Sequence, residues 1–123
     1  MKGLNTLEQA VLDRLLAGDL PVLATLRAQA EKARLVNREF SGIGFFCSFE
    51  VPPEAPTLEG SSNFEIDDVN GTLKGLAHGA GFVLFIRNGR LDMLEGFSYD
   101  GPWPQEVGQF TLTYQSEPRK LPL

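Results

Sequence analysis

The chain has 123 residues, 42% of them hydrophobic and 22% charged, a balance that suits one globular domain and excludes a wholly disordered chain. Its net charge is −5, split unevenly: residues 1–40 carry +1 and residues 41–123 carry −6. Binding to phosphate backbones or anionic membrane needs a basic face, so neither nucleic acid nor a membrane surface is an expected partner.

Residues 6–17 have the pattern of a helix. Thr6 with Gln9 gives a capping box, and Asn5 with Glu8 is the shifted alternative. Leu4, Leu7, Val11 and Leu15 fall on one face, Leu12 and Leu16 widen it, and Gly18 is a natural stop. A second helix follows, with Asp19 as candidate N-cap and Pro21 in the first turn, where a missing N–H costs nothing. Leu23, Leu26, Ala30 and Ala33 form its apolar stripe. So short a connection makes the two a helical hairpin.

From about Arg34 the period changes to that of strands, over 35–40 and 43–51, where Phe40, Phe45, Phe46, Phe49 and Val51 favour a pleated surface. Residues 52–63 form a long proline-rich, acidic loop. Strands are expected over 64–69 and 72–77 around Asn70-Gly71, and over 81–87 and 90–97 around Asn88-Gly89. Asn-Gly supplies the positive φ angles of a two-residue hairpin. A loop over 98–108 holds Pro102-Trp103-Pro104, and residues 109–115 alternate as a last strand. The tail 116–123 is expected to fray. Helices first and strands afterwards predict an α+β domain over residues 1–123. In it the helical hairpin packs on a five- to seven-stranded antiparallel sheet.

Chemistry-bearing motifs are few. His78-Gly79-Ala80-Gly81 looks like the oxyanion loop of lipases, but such a site needs a nucleophile elbow and a second histidine. Gly96-Phe97-Ser98-Tyr99-Asp100 ends in aspartate, and His78 is the sole histidine. One His and one Cys make a zinc site improbable, and Asp67, Asp68 and Asn70 lack the spacing of a calcium loop. No phosphate-binding glycine motif occurs, so no cofactor is expected. Cys47, alternating with Phe45 and Phe49, has the place of a buried apolar residue. A lone cysteine excludes an internal disulfide and fits a reducing compartment. No run approaches the roughly 20 apolar residues of a membrane span. Asn5, Glu8 and Asp13 stand where a signal peptide is apolar, so a cytoplasmic location is expected.

Two positions have alternative readings. Trp103, between prolines, is either a binding anchor or a lid on the open end of the core. Counting outward from Asn88-Gly89 sets Phe82 opposite Glu95 and His78 opposite Tyr99. That puts Glu95 in an apolar column with Ile86, Leu84, Phe82, Leu91, Met93 and Phe97. A carboxylate there is a site group of raised pKa, or half of a pair with arginine, or is turned to water by a bulge at Gly96.

The runs Gly79–Ile86 and Asn88–Phe97, followed by Pro102-Trp103-Pro104, resemble a small group of uncharacterised bacterial proteins. The resemblance implies a bacterial protein and no particular activity. With no catalytic constellation in view, the expected function is non-enzymatic binding, as in an immunity or accessory protein, with another protein or a second copy as partner. The alternative is a small-ligand pocket, with or without catalysis, using Glu95 or His78. Candidate binding residues are Glu95, His78, Tyr99 and Trp103.

Overall fold

The computed structural model describes residues 1–123. Asn5 and Glu8 start the first helix, α1 (Thr6–Leu15), by capping each other. The Asn5 Oδ1 accepts from the Glu8 N–H at 2.9 Å, and the Glu8 carboxylate accepts from the Asn5 N–H at 3.0 Å. This shifted box forms in preference to Thr6–Gln9, and Gln9 donates to Asp13 instead. The second helix, α2 (Pro21–Lys32), has Pro21 at its start with Leu20, not Asp19, at the N-cap position. There the proline's fixed φ does the work of a side-chain cap.

The remaining elements are β1 (Arg34–Phe40), β2 (Gly44–Glu50), β3 (Phe64–Ile66), β4 (Val69–Leu73), β5 (Ala80–Arg87), β6 (Arg90–Ser98) and β7 (Phe110–Tyr114). They form one antiparallel sheet in the order β1-β2-β6-β5-β4-β7, with β3 also paired to β5. The helices lie on one side of it, α2 against β6 and α1 across β4, β5 and β7. Between the layers Leu7, Val11, Leu12, Leu15, Leu23 and Leu26 meet Phe45, Cys47, Phe82, Leu84, Ile86 and Leu94. Each such side chain contributes about 1.5–3 kcal/mol by leaving water. The architecture is the expected α+β one.

The two Asn-Gly pairs behave differently. Asn88 and Gly89 both take positive φ, 54° and 74°, and close the β5–β6 hairpin. Neither Asn70 nor Gly71 does, and they lie inside β4 instead of at a turn. The expected hairpin of 64–69 with 72–77 does not form. β3 and β4 instead pair with successive halves of β5, at Leu84–Ile86 and at Ala80–Gly81. Gly71 is there for space, since a Cβ would come 2.9 Å from Leu73 and 3.0 Å from the Phe82 ring.

The β5–β6 register also departs from the count. Arg87 faces Arg90 and Ile86 faces Leu91, but Phe85 then faces Met93, with Asp92 left over as a bulge. Beyond it Leu84 faces Leu94, Phe82 faces Gly96 and Ala80 faces Ser98. The expected column therefore splits: Met93 and Phe97 stay with Glu95, but Ile86, Leu84, Phe82 and Leu91 lie on the other face, and Glu95 stands on the side away from the helices. The bulge is at Asp92, not Gly96. Gly96 is a contact point, where a Cβ would lie 2.2 Å from the Phe45 ring.

Polar anchors hold the helical layer to the sheet. Arg38 of β1 reaches Glu8 with two hydrogen bonds, of 2.5 and 2.9 Å, and Glu8 is only 1% exposed. Burial pushes the Glu8 carboxyl up, but the Arg38 guanidinium and the Asn5 cap together hold it below the usual carboxylate range. At the far end Arg119 forks onto buried Asp68 at 2.7 and 2.8 Å. It also donates to the Leu15 and Ala17 carbonyls and lies over the Tyr114 ring. Cations suit the carbonyl end of a helix.

The third anchor is Gln29, fully buried on the inner face of α2. It accepts from the Leu91 N–H at 2.9 Å and donates to the Pro56 and Gly89 carbonyls, both at 2.8 Å. One amide thus joins the helix, the long loop and the β5–β6 turn. Gln29→Leu fills the same space but leaves the Leu91 N–H and the Pro56 carbonyl without partners, and the Gly89 carbonyl with the Leu58 N–H alone. Chemical denaturation should show a loss of about 3 kcal/mol. A loss below about 1 kcal/mol would mean that water or a small shift replaces all three bonds.

Candidate functional site

In β2, β5 and β6 the side chains alternate between buried and half-buried, not between buried and exposed. The apolar members of the half-buried set are Phe46, Val83, Phe85, Met93 and Phe97, and all five point away from the helices. None of them belongs to the core cluster or packs against it. They form a second apolar surface on the outer side of the sheet, over which no element of the chain is laid. A continuous apolar surface of this kind marks an interaction site more often than it occurs by chance.

Glu95 occupies the middle of that surface. It lies opposite Phe46 on one side and Val83 on the other, with Met93 and Phe97 two residues away along its own strand. Burial among these side chains raises the Glu95 carboxyl above its ordinary value. It has neither a salt bridge nor a side-chain hydrogen bond, whereas Glu8, Glu50, Glu65 and Asp68 are each paired with an arginine. Of the three readings of Glu95, pairing with arginine is not seen. The carboxylate is turned outward by a bulge, into an apolar surround.

Tyr99 continues the same outer row of β6. Its ring meets Phe97 edge-on, with centroids 5.6 Å apart, and its hydroxyl donates to the Asn70 Oδ1 at 2.7 Å. Burial first, then the charge of Asp67, pushes that hydroxyl's pKa up. His78 stands near it at the end of the sheet, where the Tyr99 N–H bonds the Gly79 carbonyl. The His78 Nδ1 lies 2.6 Å from an Asp100 carboxylate oxygen, with both side chains largely in water. Such a pair contributes little to stability and serves to clasp the two loops. Ser98, the serine of the lipase-like run, is buried and donates to the Gly101 carbonyl. It is not presented to that histidine.

Trp103 is on the opposite side of the sheet. Its ring meets Phe45 edge-on at 5.5 Å, and its backbone N–H donates to the Gly42 carbonyl. With Phe40, Phe45, Phe110 and the start of α1 it lines a cleft of about 410 Å³. The structure therefore brings Glu95 and Tyr99 into one row, sets His78 at its end, and separates Trp103 from all three. The principal clefts elsewhere are lined by neither Glu95 nor His78 nor Tyr99. Behind the cleft, burial and the nearby Glu8 carboxylate push the Cys47 thiol up to about 12, which makes it a poor nucleophile. No three His, Cys, Asp or Glu side chains converge in a way that could hold a metal ion.

Sequence reasoning placed Met93 and Phe97 beside Glu95 but missed its cross-strand partners on the outer face, Phe46 and Val83. A signal for them was present. Phe45-Phe46 and the run Phe82–Ile86 are apolar at consecutive positions, the pattern of strands covered on both faces. Two short helices can cover only one. No protein-family model, curated protein or solved structure matches the chain.

The position of Glu95 has a pH signature. Its carboxyl titrates higher in the folded chain than its ordinary 4.5, so the folded chain holds that proton more tightly. The stability it contributes is complete below the unfolded value and is lost as pH rises through the folded one. Glu95→Gln, which keeps the neutral form at every pH, should raise the urea midpoint at about pH 7 and leave it unchanged near pH 3. A variant less stable at neutral pH would show that the carboxylate is charged and satisfied.

Proposed function

We propose that this chain is a non-enzymatic binding protein that docks another protein on the outer face of its sheet, as an immunity or accessory protein does. The observation that carries this reading is the apolar surface of Phe46, Val83, Phe85, Met93 and Phe97, which the chain's own helices leave uncovered. Keeping such a surface in water costs solubility, and a protein partner removes it from water. The edge-on Phe97–Tyr99 pair supplies the rigid aromatic contact area typical of binding hot spots. The resemblance to small bacterial proteins is consistent with this role and would place the partner in a bacterial cell.

A second reading, a small-ligand protein, has one observation in its favour. The cleft beside Trp103 is ringed by Phe40, Phe45 and Phe110 and has the volume of a small-molecule site. Glu95 and His78 are not part of it, so a ligand there would be held by aromatic contact and not by either titratable group.

The two readings separate in one experiment. The double variant Phe46→Ser, Phe97→Ser alters only half-exposed side chains and should stay folded by circular dichroism. Affinity capture from lysate of the source cell, followed by mass spectrometry, should yield a partner that the double variant fails to capture. Capture by wild type and double variant alike, together with loss in a Trp103→Ala variant, would move the site to the cleft.

A further inference from the structure

Three places on the molecule hold chemistry outside the core: the cleft beside Trp103, the His78–Asp100 pair, and the Glu95 surround. The cleft places an α1 N-terminus beside aromatic rings, but its one buried acid, Glu8, is already satisfied by Arg38 and the Asn5 cap. The His78–Asp100 pair is exposed, and the nearby serine is turned inward. Glu95 alone is a half-buried ionisable group without a partner.

The charges on the outer face are unequal in what they leave free. The cations are all engaged: Arg34 with Glu50, Arg87 with Glu65 and the Phe85 ring, and Arg90 with the Val51 and Pro52 carbonyls. The acids here without an ion pair are the exposed Glu39, Asp67 and Asp92 and the half-buried Glu95. Glu39 and Glu95 both face Phe46, Glu39 from β1 and Glu95 from β6. Glu39 receives only an amide hydrogen bond from Asn37. What remains for a visitor is thus an aromatic ring between two carboxylates, inside an apolar border.

We infer that the partner docks on this face by presenting an arginine, flanked by apolar side chains, to the Glu95 carboxylate beside Phe46. This rests on the docking role proposed above and names the chemistry of the partner. A guanidinium suits the site better than an ammonium, because it is planar, stacks on an aromatic ring and bonds a carboxylate with two parallel N–H groups. Desolvation of Glu95 by its neighbours is the cost that such a bond removes. A second copy of the chain is a poor occupant. Pairing this face with itself about a central two-fold axis sets Glu95 against Glu95, and like charges so placed repel.

The probes are acetyl-Leu-Arg-Leu-amide and its glutamine counterpart, acetyl-Leu-Gln-Leu-amide, titrated into the labelled protein and followed by amide chemical shifts. The arginine peptide should shift Phe46, Val83, Glu95 and Phe97 and bind about tenfold more tightly than the glutamine peptide, as a charged hydrogen bond predicts. In Glu95→Gln that difference should vanish, while the positions of the shifted residues stay the same. Equal binding of both peptides to this face would overturn the arginine inference and leave the docking role standing. Shifts elsewhere, or shifts on this face that survive Phe46→Ser, would overturn both. Concentration-dependent shifts of the same residues without any peptide would make a second copy the occupant and overturn the inference.

Discussion

Asp92, the one residue skipped within the β5–β6 pairing, decides which side of the sheet everything after it faces. A strand's side chains alternate with a period of two, so a single unpaired residue reverses the faces of all those beyond it. Before the bulge Leu91 is buried; after it the buried positions are Leu94, Gly96 and Ser98. Without the bulge Glu95 would stand under the helices, among Phe82 and Leu84, and an unpaired carboxylate there would cost several kcal/mol or take up a proton. With it, Leu94 fills the core and Gly96 opens the space that Phe45 occupies. The carboxylate is then ringed by apolar groups but reaches water.

The helical layer is what makes the other side of the sheet a surface. It is fixed at separate points: Glu8–Arg38 at the start of α1, the carbonyl end of α1 under Arg119, and Gln29 in the middle of α2. Each anchor is a buried polar group with its bonding satisfied, so that its partners offset the cost of desolvation and fix one packing of the layer. No side-chain nitrogen or oxygen in the interior lacks a partner. The fold is thus consistent throughout its inner half. The outer half holds the exception, apolar side chains around an unpaired acid, and local conflicts of that sort tend to mark function.

Much of this was legible in the residues. The helical stripes, the Asn88-Gly89 turn and the strand content follow from periodicity and from two positive φ angles. Three features were not. Asn70-Gly71 has the composition of a turn, but the neighbours of Gly71, Leu73 and Phe82, use its lack of a Cβ instead, which only tertiary packing reveals. Gln29 sits where an amphipathic stripe expects an aliphatic residue, and its partners are 27 to 62 residues distant. The bulge has no signature in Arg-Leu-Asp-Met-Leu-Glu-Gly, because either register buries leucines, and the fit of Phe45 over Gly96 and the cost of burying Glu95 choose between them. Glu95 was therefore recognised as an anomaly with Met93 and Phe97 beside it, while its side of the sheet and its cross-strand neighbours were assigned wrongly.

Docking on the outer face requires that face to be open in solution around Glu95. A soluble gadolinium chelate broadens side-chain resonances according to their distance from solvent. With the protein alone, it should broaden the side-chain signals of Phe46, Val83, Met93 and Phe97 strongly and leave those of Phe82, Leu84 and Leu94 sharp. Protection of the first set, at protein concentrations low enough to exclude self-association, would mean that the chain covers this face itself, and the account would fail.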